Sequence, residues 1–313
     1  MRFCCIDNDL FAKYSDCMDE LEPLKRYGEF YNGKADASDD EKIALARCCE
    51  VVFFGSTYLS REILSRLEKI RILQFLGTGI ENYVDVSFCK NRGINVLNVE
   101  EYGTNAVAEY AIALIFSCIR NIPKSDARMK NKKWCYDGLE GIELQGSVVG
   151  VLGTGKIGYK VIEKLYALGV REIYAFDIFE NKELIHKFGV KYHQLDEIFE
   201  KADIVSVHLK YSNEIYGIIS GTLIEKMKQD AFLINTARAE LVDYEALRRA
   251  IKNKKLRGAA IDVYHREPVE DYTICMDENL IATTHIGFFT RNAKRNLLRN
   301  AVRSVIENMN PSD

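Results

Sequence analysis

Short apolar runs separated by amphipathic segments recur almost from end to end of this sequence. They are Phe3–Ile6, Val51–Phe54, Ile72–Leu76, Ile94–Leu97, Val148–Leu152, Ile173–Phe176, Ile204–Val207, Phe232–Ile234, Ala259–Val263 and Leu280–Thr283. Continuous apolar runs of this length suit strands buried on both faces. The segments between them, such as Ile157–Leu168 and Tyr244–Lys252, repeat at the spacing of a helix. The alternation dictates βα units and parallel sheets, an α/β chain. At 313 residues it also exceeds the comfortable size of one core, so two doubly wound parallel-sheet domains are expected.

Two segments look like connectors. Thr104–Ile119 is apolar nearly all round, which suits a long packed helix. Arg291–Met309 gathers Ala293, Leu297, Leu298, Ala301, Val302, Val305 and Ile306 on one helical face. This last helix follows the final strand of the second sheet, so it could return to the first domain. The expected division is a discontinuous smaller domain, residues 1–100 plus 286–313, with residues 101–285 inserted as a second domain.

Composition excludes several classes. A net charge of −3 supplies no broad basic field for nucleic acid or an anionic membrane. The start, MRFCCIDNDLF, has too short an apolar core for a signal peptide. Ala106–Ile119 is interrupted by Glu109 and is too short to span a bilayer. The nine cysteines are odd in number and show no CxxC or Cys/His ligand spacing, so reduced thiols in a cytoplasm are expected, and no metal site.

The strongest local motif is "VVGVLGTGKIGYKVIEKLYALG". A strand, Val148–Leu152, runs into Gly153, Gly155 and Gly158 and then into a helix. Gly153 permits a tight turn, Gly155 lets a pyrophosphate approach the backbone, and Gly158 allows close packing of helix on strand. The phosphates then meet the free N–H groups of a helix N-terminus. Asp177 ends the next strand, about twenty residues on, where a carboxylate can bind the adenine-ribose diol and repel a 2′-phosphate. No arginine follows among Ile178, Phe179 and Glu180, so the dinucleotide is expected to be NAD rather than NADP.

Three polar residues then follow at strand ends: Arg238 after "FLINTA", Glu267 in "DVYHREP" and His285 in "IATTHIG". In an open parallel sheet these ends face the ligand crevice on the side of the glycine turn. Hydride transfer to a carbonyl needs a proton donor, and histidine suits that at neutral pH. A carboxylate on the other ring nitrogen fixes the tautomer. A guanidinium can hold a substrate carboxylate and polarise the keto oxygen beside it. Taken singly, Arg238 reads as a solvated charge, Glu267 as part of a turn and His285 as a core imidazole. Their order behind a dinucleotide motif favours the chemistry.

From about Ile72 to about Asn300 the sequence resembles the D-isomer-specific 2-hydroxyacid dehydrogenases. "GTGIENYVDV", "NAVAEYA", "GTGKIG", "INTARAELVDYEAL", "GAAIDVYHREPV" and "ENLIATTHIGFFT" fall in that family's order and spacing. The resemblance implies a Rossmann domain binding NAD, inserted into a smaller flavodoxin-like substrate domain, and a cytoplasmic homodimer whose long helix near 104–120 packs at the interface. It implies His285 as acid/base, Glu267 as its partner and Arg238 as substrate anchor. Thr78 and Gly79 would offer backbone amides to the substrate carboxylate. Lys156 and Ile157 would lie over the pyrophosphate. Leu209, Lys210, Thr236 and Ala237 would line the cofactor, and Asp262 would reach the carboxamide side of the nicotinamide. "EYGTNAVAE" and "HIGFFT" resemble the D-lactate and D-2-hydroxyisocaproate branch, with Tyr102 and Phe288 against the substrate side chain.

That branch implies interconversion of a 2-keto acid and a D-2-hydroxy acid with a small or apolar side chain. Glyoxylate/hydroxypyruvate reduction and 3-phosphoglycerate oxidation are alternatives within the class, although the loop "GSTYLS" at 55–60 offers no cation for a phosphate. An NAD(H)-sensing binding protein is the alternative from another class. Three positions depart from the family's habit: Ala239 for Gly, Thr284 for Pro and Lys210 for Pro. If the usual Gly needs positive φ, Ala239 implies an altered turn.

Overall fold

Every strand buried on both faces coincides with one of the apolar runs. The computed structural model describes residues 1–7, 15–34 and 37–309. The chain divides into two compact units, Met1–Gly103 with Phe289–Asp313, and Thr104–Phe288.

The first unit holds a five-stranded parallel sheet built from β1 (Arg2–Cys5), β2 (Glu29–Asn32), β3 (Val51–Phe54), β4 (Ile72–Phe75) and β5 (Asn95–Leu97), in the order β2-β1-β3-β4-β5. Side chains alternate between its faces, as pleating requires. Phe3, Cys5, Val51 and Phe53 share one core with Leu297, Leu298, Ala301, Val302 and Val305 of the helix Arg291–Met309. Cys4, Val52, Phe54 and Leu73 face the opposite way, packing with Ile43 and Ala46 of the helix Asp39–Ala46. Ser38 and Glu41 start that helix with a reciprocal capping box.

The second unit holds a seven-stranded parallel sheet. Its strands are β6 (Val148–Leu152), β7 (Glu172–Phe176), β8 (Lys191–Tyr192), β9 (Ile204–Val207), β10 (Ala231–Asn235), β11 (Leu256–Ile261) and β12 (Leu280–Ala282). Their order, β12-β11-β10-β9-β6-β7-β8, reverses between β6 and β9, the crevice position for a ligand in doubly wound sheets. The helices Thr104–Ile119 and Lys156–Ala167 cover one face, through Ala111, Ile115, Val161 and Ile162.

Register places the site. Leu152 pairs with Val207, Val207 with Asn235, Asn235 with Ile261, and Ile261 with Ala282. One residue beyond, Gly153, His208, Thr236, Asp262 and Thr283 follow those five strand ends, and His208, Asp262 and Thr283 continue the ladder with backbone hydrogen bonds. The sheet thus ends with a row of polar residues, His208, Thr236, Asp262 and Thr283, beside Gly153.

The apolar runs miss two strands. β2 and β8 are both edge strands, and their residues remain largely exposed. An edge strand buries too little to need an apolar run. β11 also begins earlier than its run, because Leu256 and Arg257 lie before Gly258 and the register shifts there.

Candidate active site

The glycine turn is fixed by close approach. Gly153 has φ +95°, and a Cβ there would stand 2.5 Å from the His208 carbonyl. At Gly158 a Cβ would lie 1.9 Å from the Gly153 oxygen, so helix and turn meet with no room for a side chain. Gly155 differs: nothing lies within 4 Å of its absent Cβ. The open space lies at the first turn of the helix Lys156–Ala167, where a helix N-terminus favours phosphate oxygens. These residues fit a pyrophosphate. Lys156 is exposed at that turn, and Ile157 packs partly against the core beneath it.

Asp177 turns back on the same loop. Its Oδ2 accepts from Thr154 N at 2.6 Å and from Thr154 Oγ1 at 3.1 Å, while Oδ1 accepts from Ile178 N at 2.7 Å. Tyr192 on β8 donates to Thr154 Oγ1 at 2.9 Å. The Asp177 carboxylate and the glycine turn are therefore one hydrogen-bonded unit. Thr154 and Tyr192 were not legible as members, since Tyr192 lies on an edge strand without an apolar run.

Around the next strand ends the structure brings together Arg238, Glu267 and His285. Asn235, fully buried at the end of β10, shapes the turn carrying Arg238. Its Nδ2 donates to Arg238 O at 2.9 Å and to Tyr244 Oη at 3.0 Å, and its Oδ1 accepts from Ala237 N at 3.0 Å. Tyr244 in turn donates to Val263 O at 2.9 Å, tying the arginine turn to the segment that follows β11. Ala239 enters a 3-10 turn without a positive φ and is buried, so the turn as it stands here does not need a glycine.

Glu267 Oε2 stands 2.6 Å from His285 Nδ1, and Oε1 accepts from Tyr264 N at 2.9 Å. Burial pushes the Glu267 carboxyl up. The hydrogen bond and charge of His285, the Tyr264 amide and the Arg238 guanidinium outweigh it, leaving the group below the usual glutamate value. With Nδ1 held by the carboxylate, Nε2 is the nitrogen left to exchange a proton. The Phe288 ring stands edge-on to the imidazole, with centroids 6.0 Å apart at 88°. The arrangement combines an oriented acid/base with a fixed cation, the needs of carbonyl reduction.

The remaining predicted residues divide between the two units. Leu209 and Ala237 pack against one core of the second unit, and Lys210 is exposed. Thr236 Oγ1 is buried without a partner. Asp262 is 2% exposed and accepts from Thr283 Oγ1 at 2.7 Å, Ile286 N at 3.0 Å and Gly287 N at 2.8 Å. Thr78, Gly79 and Tyr102 belong to the first unit. There Thr78 O accepts from Asn98 Nδ2 at 3.2 Å, Gly79 opens the short turn Ile80–Asn82, and Tyr102 packs against the core of the Arg291–Met309 helix.

Known proteins agree with this geometry. Residues 112–287 match the family model for the NAD binding domain of the D-isomer specific 2-hydroxyacid dehydrogenases. An aromatic 2-oxoacid reductase of Clostridium sporogenes is 34% identical over 301 residues, covering 90% of each chain. A D-3-phosphoglycerate dehydrogenase of Archaeoglobus fulgidus is 35% identical over 248 residues, or 79% of this chain and 47% of its own, so the chain spans about half that enzyme's length. Among solved structures, apo D-lactate dehydrogenase from Escherichia coli superposes with a TM-score of 0.89 at 26% identity, covering 100% of this chain and 98% of its own. The chain belongs to the D-isomer-specific 2-hydroxyacid dehydrogenases, NAD-dependent oxidoreductases of the two-sheet α/β fold.

Proposed function

We propose that the protein reduces 2-keto acids with small or apolar side chains, of the lactate or 2-hydroxyisocaproate type, to D-2-hydroxy acids. The observation that carries this reading is the 2.6 Å pair of His285 Nδ1 and Glu267 Oε2. When bound, NADH supplies the hydride. His285 Nε2 donates the proton to the carbonyl oxygen as negative charge grows there, leaving the ring neutral, and Glu267 stabilises the imidazolium from which that proton leaves. Arg238 grips the substrate carboxylate and holds the keto carbon in place. Phe288, edge-on to the imidazole, supplies an apolar wall for the side chain. The reductase of Clostridium sporogenes, named for aromatic 2-oxo acids, supports a wall of this kind.

A homodimer belongs to the same reading. Trp134 and Tyr136 are 86% and 80% exposed, with Met129 and Ile122 also exposed along the segment after the long helix, an apolar surface that a second copy would cover. Nine free thiols are in keeping with a cytoplasmic setting.

The test is NADH consumption across glyoxylate, hydroxypyruvate, pyruvate, 2-ketoisocaproate, phenylpyruvate and 3-phosphohydroxypyruvate. The reading requires the highest kcat/KM on an apolar side chain. Highest values on hydroxypyruvate or the phosphorylated acid would replace it with another member of the class. Tight NADH binding without consumption would point to a sensor. His285→Ala should lower kcat roughly 10²–10⁴-fold while leaving NADH affinity nearly intact.

A further inference from the structure

We propose that Tyr192 is a positioning residue for Asp177, holding through Thr154 the carboxylate that selects NADH over NADPH. The inference rests on Asp177 receiving the adenine ribose, the role expected from its place after β7. Four groups form one line. Asn181 N donates to Tyr192 Oη at 2.9 Å, Tyr192 Oη donates to Thr154 Oγ1 at 2.9 Å, and Thr154 Oγ1 donates to Asp177 Oδ2 at 3.1 Å. The direction of this line is forced. An amide N–H only donates and a carboxylate only accepts, so each hydroxyl between them, with one proton to give, passes its donation toward Asp177. Hydrogen bonds aligned in one direction polarise and strengthen one another.

Secondary structure anchors both ends of the line. Tyr192 on β8 pairs with Ala175 on β7, and the His193 amide donates to Ala175 O at 2.9 Å, so the phenol is carried by the strand beside the one that ends before Asp177. Asn181 caps the helix Lys182–Phe188, its Oδ1 accepting from Glu183 N at 3.0 Å and Leu184 N at 3.4 Å. At the other end Thr154 N reaches Asp177 Oδ2 at 2.6 Å, and Gly153 N donates to Phe176 O at 2.8 Å. The two Thr154 bonds fill Oδ2, while Ile178 N takes one side of Oδ1 at 2.7 Å. A carboxylate accepts about four hydrogen bonds, so these donors leave a site on Oδ1 for a ribose hydroxyl. A 2′-phosphate brings negative charge against the same oxygen instead. Without the hydroxyl line the carboxylate keeps its amide donors but gains freedom to turn, and the ribose bond and the repulsion weaken together. Support of the fold alone would not touch that difference between the two cofactors.

The experiment measures the Kd of NADH and of NADPH by fluorescence titration of the full chain, with Tm read alongside, for Tyr192→Phe, Thr154→Val, Thr154→Ser and Asp177→Ala. Tyr192→Phe removes one oxygen and should raise the NADH Kd about 3- to 10-fold, while the NADPH Kd stays level or falls. The preference for NADH then drops by the same factor. Thr154→Val, which keeps the shape and loses the hydroxyl, should lower the preference by about 3- to 10-fold as well, and Thr154→Ser, which keeps the hydroxyl, should hold it within about 2-fold of the parent. On Asp177→Ala, adding Tyr192→Phe should leave the preference unchanged, because the group it positions is gone. An equal rise in both Kd values would overturn the proposal, as would a lower Tm with the parent preference intact. If Asp177→Ala itself leaves the preference unchanged, the ribose reading has failed and the proposal falls with it. A preference that moves in Asp177→Ala but not in Tyr192→Phe or Thr154→Val ends the positioning role alone.

Discussion

His208 follows β9 against the glycine turn, with Nε2 2.8 Å from Ser206 Oγ, and burial pushes its pKa from 6.5 down to about 3. In the fold it stays neutral, whereas in the unfolded chain an ordinary histidine takes a proton below pH 6.5. The unfolded state therefore binds more protons in that range. The contribution of His208 to stability is complete above pH 6.5 and falls away between there and its folded value. His208→Asn should flatten the drop in Tm on acidification from pH 6.5 to 4. An unchanged slope would mean that the imidazole is not held neutral. Glu267, also depressed, gives stability above the usual glutamate value of 4.5 and loses it as pH falls through its lowered one, so the two groups act in different windows. Single residues differ in how far the sequence discloses them. Arg238, Glu267 and His285 are legible because their chemical types and order suit one reaction. The bonds of Asp262 are not, because it meets Thr283 only through the pairing of β11 with β12, and no residue pattern states that register. Asn235 escapes notice for a like reason: it is the last residue of an apolar strand, and only its buried amide bonds reveal its task.

Among elements, the interior strands and the edge strands β5 and β12 are legible, and the edge strands β2 and β8 are not. Val51–Phe54, Val148–Leu152 and Ile204–Val207 are bounded in the structure as in the sequence, since burial on both faces demands an unbroken apolar run. The helix Tyr244–Lys252 is equally plain, its buried side formed by Tyr244, Leu247, Ala250 and Ile251. β2 and β8 obey hydrogen-bonding needs alone. The element most sensitive to substitution is the turn between β6 and its helix. Gly158→Ala places a methyl against the Gly153 oxygen, and the helix must move outward to admit it. A loss of about 1–3 kcal/mol is expected, seen as a lower urea midpoint, together with weaker NADH binding. Gly155→Ala, which meets nothing in the protein, should keep the midpoint and lose NADH affinity. Equal midpoints for both variants would mean that the close approach at Gly158 is relaxed in solution.

At the level of the whole chain, the two units differ in how they are encoded. Thr104–Phe288 is one continuous stretch with its own two cores and the whole glycine turn. Expressed alone it should fold cooperatively and bind NADH, readable by thermal unfolding with and without the cofactor. The first unit lacks that independence, because Leu297, Leu298, Ala301, Val302 and Val305 supply one face of its sheet. Residues 1–103 alone should stay unfolded, and adding the peptide 289–309 should restore structure by circular dichroism. A stable fold without the peptide would contradict the shared core. The late arrival of that helix has a consequence during synthesis. The opening segment leaves the ribosome long before its missing half exists, by roughly 10–40 s at ordinary elongation rates. For that interval the apolar strands β1, β3 and β4 await their cover, and nascent-chain chaperones have a defined window and a defined surface to guard.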